Sequence, residues 1–197
     1  MYTEDPMEIR IHGRGGQGAV LAATLAAEVA FRRGYYPQAF PFFGAERRGA
    51  PVAAFVRYSR SFLMPRCRIY KPFCVVVFDV VLPKEAIMEG FKKDGVLLVN
   101  ASEEHLPAWT EAARGRKLYI VDASHIAADY GLLSSGMPLV SSVMLGALVK
   151  ILKLAPLQVL EETLKEKIFH FARENLEGAR RGYKEVKEVV GDALFSR

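Results

Sequence analysis

The chain has 197 residues, of which 51% are hydrophobic and 25% charged, a composition typical of a globular protein with a buried core. Apolar runs stay shorter than the roughly 18 residues that a membrane helix needs, which excludes a membrane-spanning protein. The net charge of +5 favours an acidic partner or ligand, but the basic residues are scattered and not interleaved with aromatics, so nucleic-acid binding is not predicted.

The N-terminus and the cysteines indicate the compartment. The first ten residues, MYTEDPMEIR, carry acids where a signal peptide is basic and apolar, so we predict a cytoplasmic protein. Cys67 and Cys74 are the two cysteines and match no zinc or iron–sulfur spacing. A cluster needs about four thiolates, so this chain alone cannot hold one. We predict no metal site and no disulfide, and we expect two buried thiols.

The first half of the chain predicts alternating strands and helices. MEIRIHG (7–13) alternates like a strand and leads through glycines into an alanine-rich helix (17–34) that stops at Gly34. YYPQAFPFF (35–43) and VAAFVRYS (52–59) predict two further strands, and SFLMP (61–65) is expected to pair with the second as a hairpin.

The remaining segments complete an α/β pattern. CVVVFD (74–79), VLLVN (96–100) and KLYIVD (117–122) are apolar runs typical of buried parallel strands. KEAIMEGFKKDG (84–95) predicts a helix, and the chain from about residue 137 is helical in period. An inward stripe is predicted at Leu157, Leu160, Leu164, Ile168 and Phe171.

We therefore predict one domain over residues 1–197. It has a Rossmann-like, mostly parallel sheet, helices on both faces and a helical C-terminal segment at about 137–197.

The stretch HGRGGQGAV (12–20) contains a G-x-G-x-x-G turn. Backbone N–H groups and the helix dipole at such a turn favour an anion. Arg14 adds a positive charge, and Gln17 is a donor for a ligand or a neighbouring chain. The alternative is that the glycines serve only tight turning and packing. The candidate residues of the turn are Gly13, Arg14, Gly15, Gly16, Gln17 and Gly18.

A dinucleotide site needs more than the turn. Its fingerprint includes an acid about 20 residues further on, at the end of the next strand. The segment YYPQAFPFFG (35–44) has none, since Glu28 falls in the predicted helix and Glu46 in the following loop. The sequence therefore favours an anion or interface role shared with other chains over a self-contained NAD or FAD site.

The stretch PFFGAERRGAP (41–51) pairs aromatics with adjacent arginines. Arginine can grip carboxylates or phosphates, and aromatic side chains anchor interfaces. We expect a contact loop at the same sheet edge as the glycine turn, although a solvated loop with an internal Glu–Arg pair is the alternative. The candidate contact residues are Phe43, Gly44, Glu46, Arg47, Arg48 and Gly49.

Candidate catalytic groups are few. His12 lies at a strand end with no serine or cysteine nucleophile placed beside it by a motif. Asp79 and Asp122 end buried strands and are either catalytic or helix caps. His105, His125 and His170 are isolated, and Trp109 is expected to pack in a helix. We predict no catalytic residue in this chain.

Five segments together resemble the gamma subunit of 2-oxoacid:ferredoxin oxidoreductases, most closely of the pyruvate type. They are IRIHGRGGQGAVLAATLAAEVAF, YPQAFPFFGAERRGAPVAAFVR, IYKPFCVVVFD, VMLGALVK and ENLEGARRGYKEV. Phe42 and Phe43 before the glycine are typical of the pyruvate-like form. Ser141 departs from the asparagine often found there. Gamma chains of branched-chain 2-oxoacid and indolepyruvate complexes are similar alternatives, and a stand-alone dinucleotide-binding protein or a pure interface module would belong to other classes.

The resemblance implies a hetero-oligomeric enzyme with alpha, beta and delta subunits beside this chain. Such complexes cleave a 2-oxoacid with thiamine diphosphate and magnesium, pass electrons through [4Fe–4S] clusters to ferredoxin, and load the acyl group onto coenzyme A. The resemblance places the clusters and the thiamine diphosphate in the other chains. It implies that the gamma chain is an accessory domain, without a cofactor of its own, near the coenzyme A end of the reaction.

Overall fold

The computed structural model describes residue 2 and residues 4–42, 49–62 and 67–189. The strands are β1 (Met7–Arg14), β2 (Tyr36–Phe42), β3 (Pro51–Ser59), β4 (Cys74–Val77), β5 (Val96–Asn100), β6 (Lys117–Val121), β7 (Leu133–Ser134), β8 (Met137–Pro138) and β9 (Lys187–Val189). The helices are α1 (Ala19–Arg32), α2 (Lys84–Met88), α3 (Leu106–Ala112), α4 (Ala123–Asp129), α5 (Ser141–Leu152), α6 (Leu157–Lys167) and α7 (Ala172–Glu185). Among these, no helix has the length and apolar character to cross a bilayer.

Seven strands form one sheet in the order β2-β3-β1-β4-β5-β6-β9. Its centre, β1-β4-β5-β6, is parallel. The hairpin of β2 and β3 at one edge and β9 at the other are antiparallel. Strands β4 and β5 are buried along their whole length, because helices cover both faces there. The predicted α/β class is confirmed.

Two apolar layers sandwich the parallel centre. On one face, Ile9 and Ile11 of β1 join a core shared with α1, α5, α6 and α7. On the other face, Ile87 of α2 and Trp109 of α3 pack on the opposite side chains of β4 and β5, among them Val75 and Leu97. Successive side chains along a strand point to opposite faces, so each buried strand contributes side chains to both apolar layers.

Helix α2 ends at Met88, and the prediction that it continues to residue 95 is wrong. Arg10, buried in β1, donates to the carbonyl oxygens of Ile87 (2.8 Å) and Glu89 (2.7 Å). Gly90 then turns the chain at φ +68°. A side chain far away in the sequence, that of Arg10, therefore binds the carbonyl oxygens at the end of the helix. The local periodicity of the sequence cannot show this contact.

The C-terminal segment is helical as predicted, with two corrections. Leu160, Leu164 and Ile168 are buried, but Phe171 is 54% exposed, because α6 ends at Lys167 and Phe171 precedes α7 at φ +50°. The predicted stripe is therefore wrong at Phe171. The described part of the segment also contains a strand, β9, which pairs with β6.

The predicted hairpin partner of β3 at 61–65 lies largely outside the described residues. Ser61 and Phe62, which are described, belong to no strand. Strand β3 pairs instead with β1 on one side and β2 on the other, so both of its hydrogen-bonding edges are occupied by other strands.

Helices α5 and α7 touch through glycines, and this contact gives a stability prediction. A Cβ at Gly182 would lie 2.0 Å from the carbonyl oxygen of Val143. We expect Gly182→Ala to lower the free energy of unfolding by about 2 kcal/mol, since overpacking outweighs the roughly 1 kcal/mol gained in helix propensity. Urea unfolding checks this value. Lys184→Ala, an exposed position in the same helix, is the control, and equal midpoints for the two variants would contradict the prediction.

Candidate functional site

The glycine turn connects β1 to α1 at the carboxyl end of the parallel strands. Gly16 and Gly18 have φ values of +101° and +85°, which favour glycine. A Cβ at Gly18 would lie 2.8 Å from the Cβ of Ser141, the first residue of α5. The turn therefore brings the N-termini of α1 and α5, each the positive end of a helix dipole, close together.

The second sequence motif reaches the same place. The Gly15 amide donates to the Ala50 carbonyl oxygen at 2.9 Å, and the Gly49 amide donates to the Gly15 carbonyl oxygen at 3.2 Å. Both predicted motifs therefore meet at one sheet edge. Five of the predicted contact residues lie outside the described part of the chain: Phe43, Gly44, Glu46, Arg47 and Arg48.

Arg14 links its own strand to two segments that are far from it in sequence. Its Nε lies 2.5 Å from Oδ2 of Asp79, and its Nη1 donates to the Gly49 carbonyl oxygen at 3.2 Å. The second carboxylate oxygen of Asp79 accepts from the Val81 amide at 2.9 Å. The Arg14 charge that we assigned to the turn is thus balanced by a carboxylate. The Arg14 side chain is 31% exposed, so part of it remains accessible.

Gln17 faces inward. It is buried, and its Oε1 accepts from the Arg14 backbone amide at 2.8 Å. A Cβ on Gly13 would lie 3.3 Å from this oxygen. Gln17 therefore fixes the shape of the turn from inside, while it also lines the neighbouring cleft.

A polar cleft of about 410 Å³ opens beside the turn. It runs across the carboxyl ends of β4, β5 and β6, where open α/β sheets bind their ligands. Asn100 organises it: its Nδ2 donates to the Phe78 carbonyl oxygen (2.8 Å) and to Ser124 Oγ (2.9 Å), and its Oδ1 accepts from the Ser124 amide (3.1 Å). The sequence signal for this residue was a polar side chain ending a buried strand.

The predicted acid–base candidates have structural contacts. Asp122 caps α4 by accepting from the His125 amide at 3.0 Å. Burial, with Arg10 and Arg68 nearby, lowers the pKa of His12 to about 3, so this imidazole is neutral at pH 7. His105 Nδ1 lies 2.9 Å from Ser102 Oγ at the cleft rim. The described residues contain no cluster of His, Cys, Asp or Glu suited to a metal ion.

The two thiols differ from each other. Cys74 is buried, and burial raises the pKa of its thiol. Cys67 is exposed, so the expectation of two buried thiols is wrong for this residue. It lies in an irregular segment near Arg57, whose Nη2 is 3.8 Å from the sulfur.

Comparison with known proteins decides the family. Residues 8–185 match the family described as pyruvate ferredoxin/flavodoxin oxidoreductase. The chain belongs to this family. It is 39% identical to pyruvate synthase subunit PorC of Methanocaldococcus jannaschii, over 94% of this chain and 99% of that one. It is 40% identical to the pyruvate/ketoisovalerate oxidoreductases common subunit gamma of Pyrococcus furiosus, over 92% and 97% of the two chains.

A solved structure agrees with these relatives. The crystal structure of pyruvate oxidoreductase subunit PORC from Thermotoga maritima superposes with a TM-score of 0.81 at 36% identity, covering 95% of this chain and all of that one. The resemblance found in the sequence motifs is confirmed: the family member that this chain resembles along its length is the gamma subunit.

The neutral state of His12 gives a pH prediction. The unfolded chain takes up this proton near pH 6.5, whereas the folded chain takes it up only near pH 3. Between these values stability falls as pH falls, by at most about 1.4 kcal/mol per pH unit. We expect His12→Gln to remove this dependence. Urea unfolding at pH 6.5 and pH 5 measures it, with His125→Gln, an exposed position, as the control. Equal slopes for the wild type and His12→Gln would refute the assignment.

Proposed function

We propose that this chain is the gamma subunit of a pyruvate-type 2-oxoacid:ferredoxin oxidoreductase, and that it supplies binding surface and no reacting group. The enzyme would convert the 2-oxoacid oxidatively to acyl-coenzyme A and carbon dioxide, with the electrons passing to ferredoxin. The observation that carries the proposal is the near-complete match, at about 40% identity, to subunits named for pyruvate synthase.

The names of the relatives bear on substrate choice. Chains named for pyruvate alone and chains named as common to pyruvate and ketoisovalerate oxidoreductases resemble this one equally, at 39% and 40% identity. A subunit that is common to two oxoacids is not the part that distinguishes them. We therefore assign the choice of 2-oxoacid to the partner subunits, which leaves the branched-chain complex as the alternative enzyme.

An accessory role fits the chemistry of the site. His12 has too low a proton affinity to act as a base at neutral pH. Asp79 and Asp122 are engaged by Arg14 and by the start of α4. What remains exposed is suited to an anion: a partly exposed guanidinium beside the N-terminus of α1. The N-terminus of α5 lies buried behind it, since Ser141 is buried against Gly18. We propose that this seat takes a phosphate of coenzyme A or a carboxylate of a partner chain.

The cofactors of the complex belong on other chains. Two cysteines cannot ligate a [4Fe–4S] cluster, which takes about four thiolates. The residues present here therefore do not fit a cluster. By the family resemblance, thiamine diphosphate, magnesium and the clusters would lie on the alpha, beta and delta subunits, and this chain would act only in assembly with them.

Two other readings remain testable. For a dinucleotide-binding protein, Asp79 holds the position of the ribose-binding acid, at the end of the parallel strand next to β1. Its carboxylate is already bound by Arg14 and the Val81 amide, which argues against that use.

A pure interface module would use the glycines for packing alone, and the close approach of Gly18 to Ser141 is consistent with that role.

The anion seat predicts a kinetic effect. In the assembled complex, we expect Arg14→Ala to raise KM for coenzyme A about tenfold, the loss of roughly 1.4 kcal/mol from one charge-assisted contact, with KM for pyruvate little changed. Arg48→Ala is expected to act in the same direction. Steady-state ferredoxin reduction at varied coenzyme A measures both.

Arg114→Ala is the matched control, because the Arg114 side chain is 83% exposed in a loop after α3. An unchanged KM for coenzyme A in both seat variants, with the complex intact, would favour the interface module instead.

The dinucleotide alternative has its own test. We expect isothermal titration calorimetry of NAD or FAD into the purified chain to give no binding at millimolar concentration, because Arg14 already neutralises Asp79. Stoichiometric binding that Asp79→Asn abolishes would make the dinucleotide site real.

A further inference from the structure

One face of the sheet edge carries exposed aromatic side chains. We call this the aromatic face and define it by Tyr36 and Phe42 of β2 with Phe62, Arg68 and Tyr70. The four aromatic residues are 51%, 44%, 75% and 68% exposed, respectively. The rings of Tyr36 and Phe62 lie 6.2 Å apart, and the Arg68 guanidinium lies 4.7 Å from the Phe42 ring and 5.4 Å from that of Tyr70.

The helices do not shield this face. Helix α1 contacts the opposite side of β2 and β3, where Ala39 joins the main core. Helices α2 and α3 pack over β4 and β5. Exposed aromatic side chains that lie close together mark interaction sites more often than isolated ones do, and aromatics with arginine are the usual anchors of protein interfaces.

The charge of the face is positive. Within the described residues, Arg68 has no carboxylate within 4 Å and contacts aromatic rings instead. Arg10, behind it in β1, donates to backbone carbonyl oxygens. A partner that matches this surface has carboxylates beside apolar side chains.

The edge of β2 limits how a partner binds. Pro37 and Pro41 of β2 stand in register with Tyr58 and Ala54 of β3, and a proline in an edge strand turns its missing N–H to the open side. Strand addition, which needs those donors, is therefore blocked at two positions. A partner would dock onto the side chains of the face and not extend the sheet.

We propose that the aromatic face binds another subunit of the same oxidoreductase, through an acidic surface with apolar side chains. This rests on the proposed function. Phe42 directly precedes the 43–48 loop, and Gly49 and Ala50 beyond it bond to the glycine turn. A single partner surface seated on the aromatic face would therefore extend to the candidate anion seat.

The test is assembly of the full complex, purified through a tag on this chain. We expect Tyr36→Ser with Phe62→Ser, and separately Arg68→Glu, to lower the yield of the bound partner subunit at least tenfold. Arg68→Gln should give a smaller loss, and moderate salt should release the partner from Arg68→Gln before it does so from the wild type. Circular dichroism and the melting temperature of each variant check that it folds.

The control variants carry the same changes elsewhere. Phe169→Ser removes an 82% exposed aromatic side chain, and Arg114→Glu reverses an exposed charge; both should assemble normally. Wild-type subunit ratios in all face variants would overturn the proposal. The proposal would also be overturned if the face variants lost self-association of this chain but kept the other subunits. The face would then bind a second copy of this chain. A wild-type complex that assembles but does not reduce ferredoxin when any 2-oxoacid is supplied would refute the proposed function. The docking result would still stand.

Discussion

The ion pair between Arg14 and Asp79 links the segments from which the candidate site is built. Parallel pairing sets His12 opposite Val77. Arg14, the last residue of β1, and Asp79, two residues after the end of β4, therefore lie side by side. The guanidinium also binds the Gly49 carbonyl oxygen, and Gly15 exchanges hydrogen bonds with the same segment. One ion pair therefore holds together the glycine turn, the Gly49–Ala50 segment and the end of β4. The pair is partly sheltered from solvent, where charges are screened less than in water.

That anchor changes what the glycine turn can do. A guanidinium balanced by a carboxylate does not create a strongly positive pocket, so the affinity for an anion has to come from the free amides and from charges brought by the loop or by a partner. We therefore propose that the site binds anions weakly in an isolated chain and is completed by assembly with other subunits. The same logic applies to His12, whose burial near Arg10 and Arg68 keeps it neutral. Both features agree with a chain that binds and positions but leaves reaction to its neighbours.

Features of the fold and site were predictable from the sequence when they depend on neighbouring residues, and not when they depend on residues far apart in the chain. The buried strands were readable because β4 and β5 are covered on both faces and so are apolar up to Asn100, the last residue of β5. The glycine turn was readable because its constraint is local. The Arg14–Asp79 pair was not, since the β2–β3 hairpin separates β1 from its parallel neighbour and moves the acid far beyond the usual spacing. The end of α2 depends on Arg10, and the Asn100 network joins Phe78 and Ser124. Neither could be predicted, because both depend on residues far apart in the sequence.

The anion seat and the aromatic face are best understood together, through the segment that connects them. Phe42 ends the edge strand and Gly49 begins the contact with the turn, so a partner that binds along residues 42–49 would act on both at once. Among the reactants implied by the family resemblance, coenzyme A is the same whichever 2-oxoacid is used, whereas the side chain of the oxoacid varies. We therefore propose that this chain lies at the coenzyme A end, where its contacts need not change with the substrate. A site with anion-suited amides and an arginine fixed by an ion pair has the chemistry for that position.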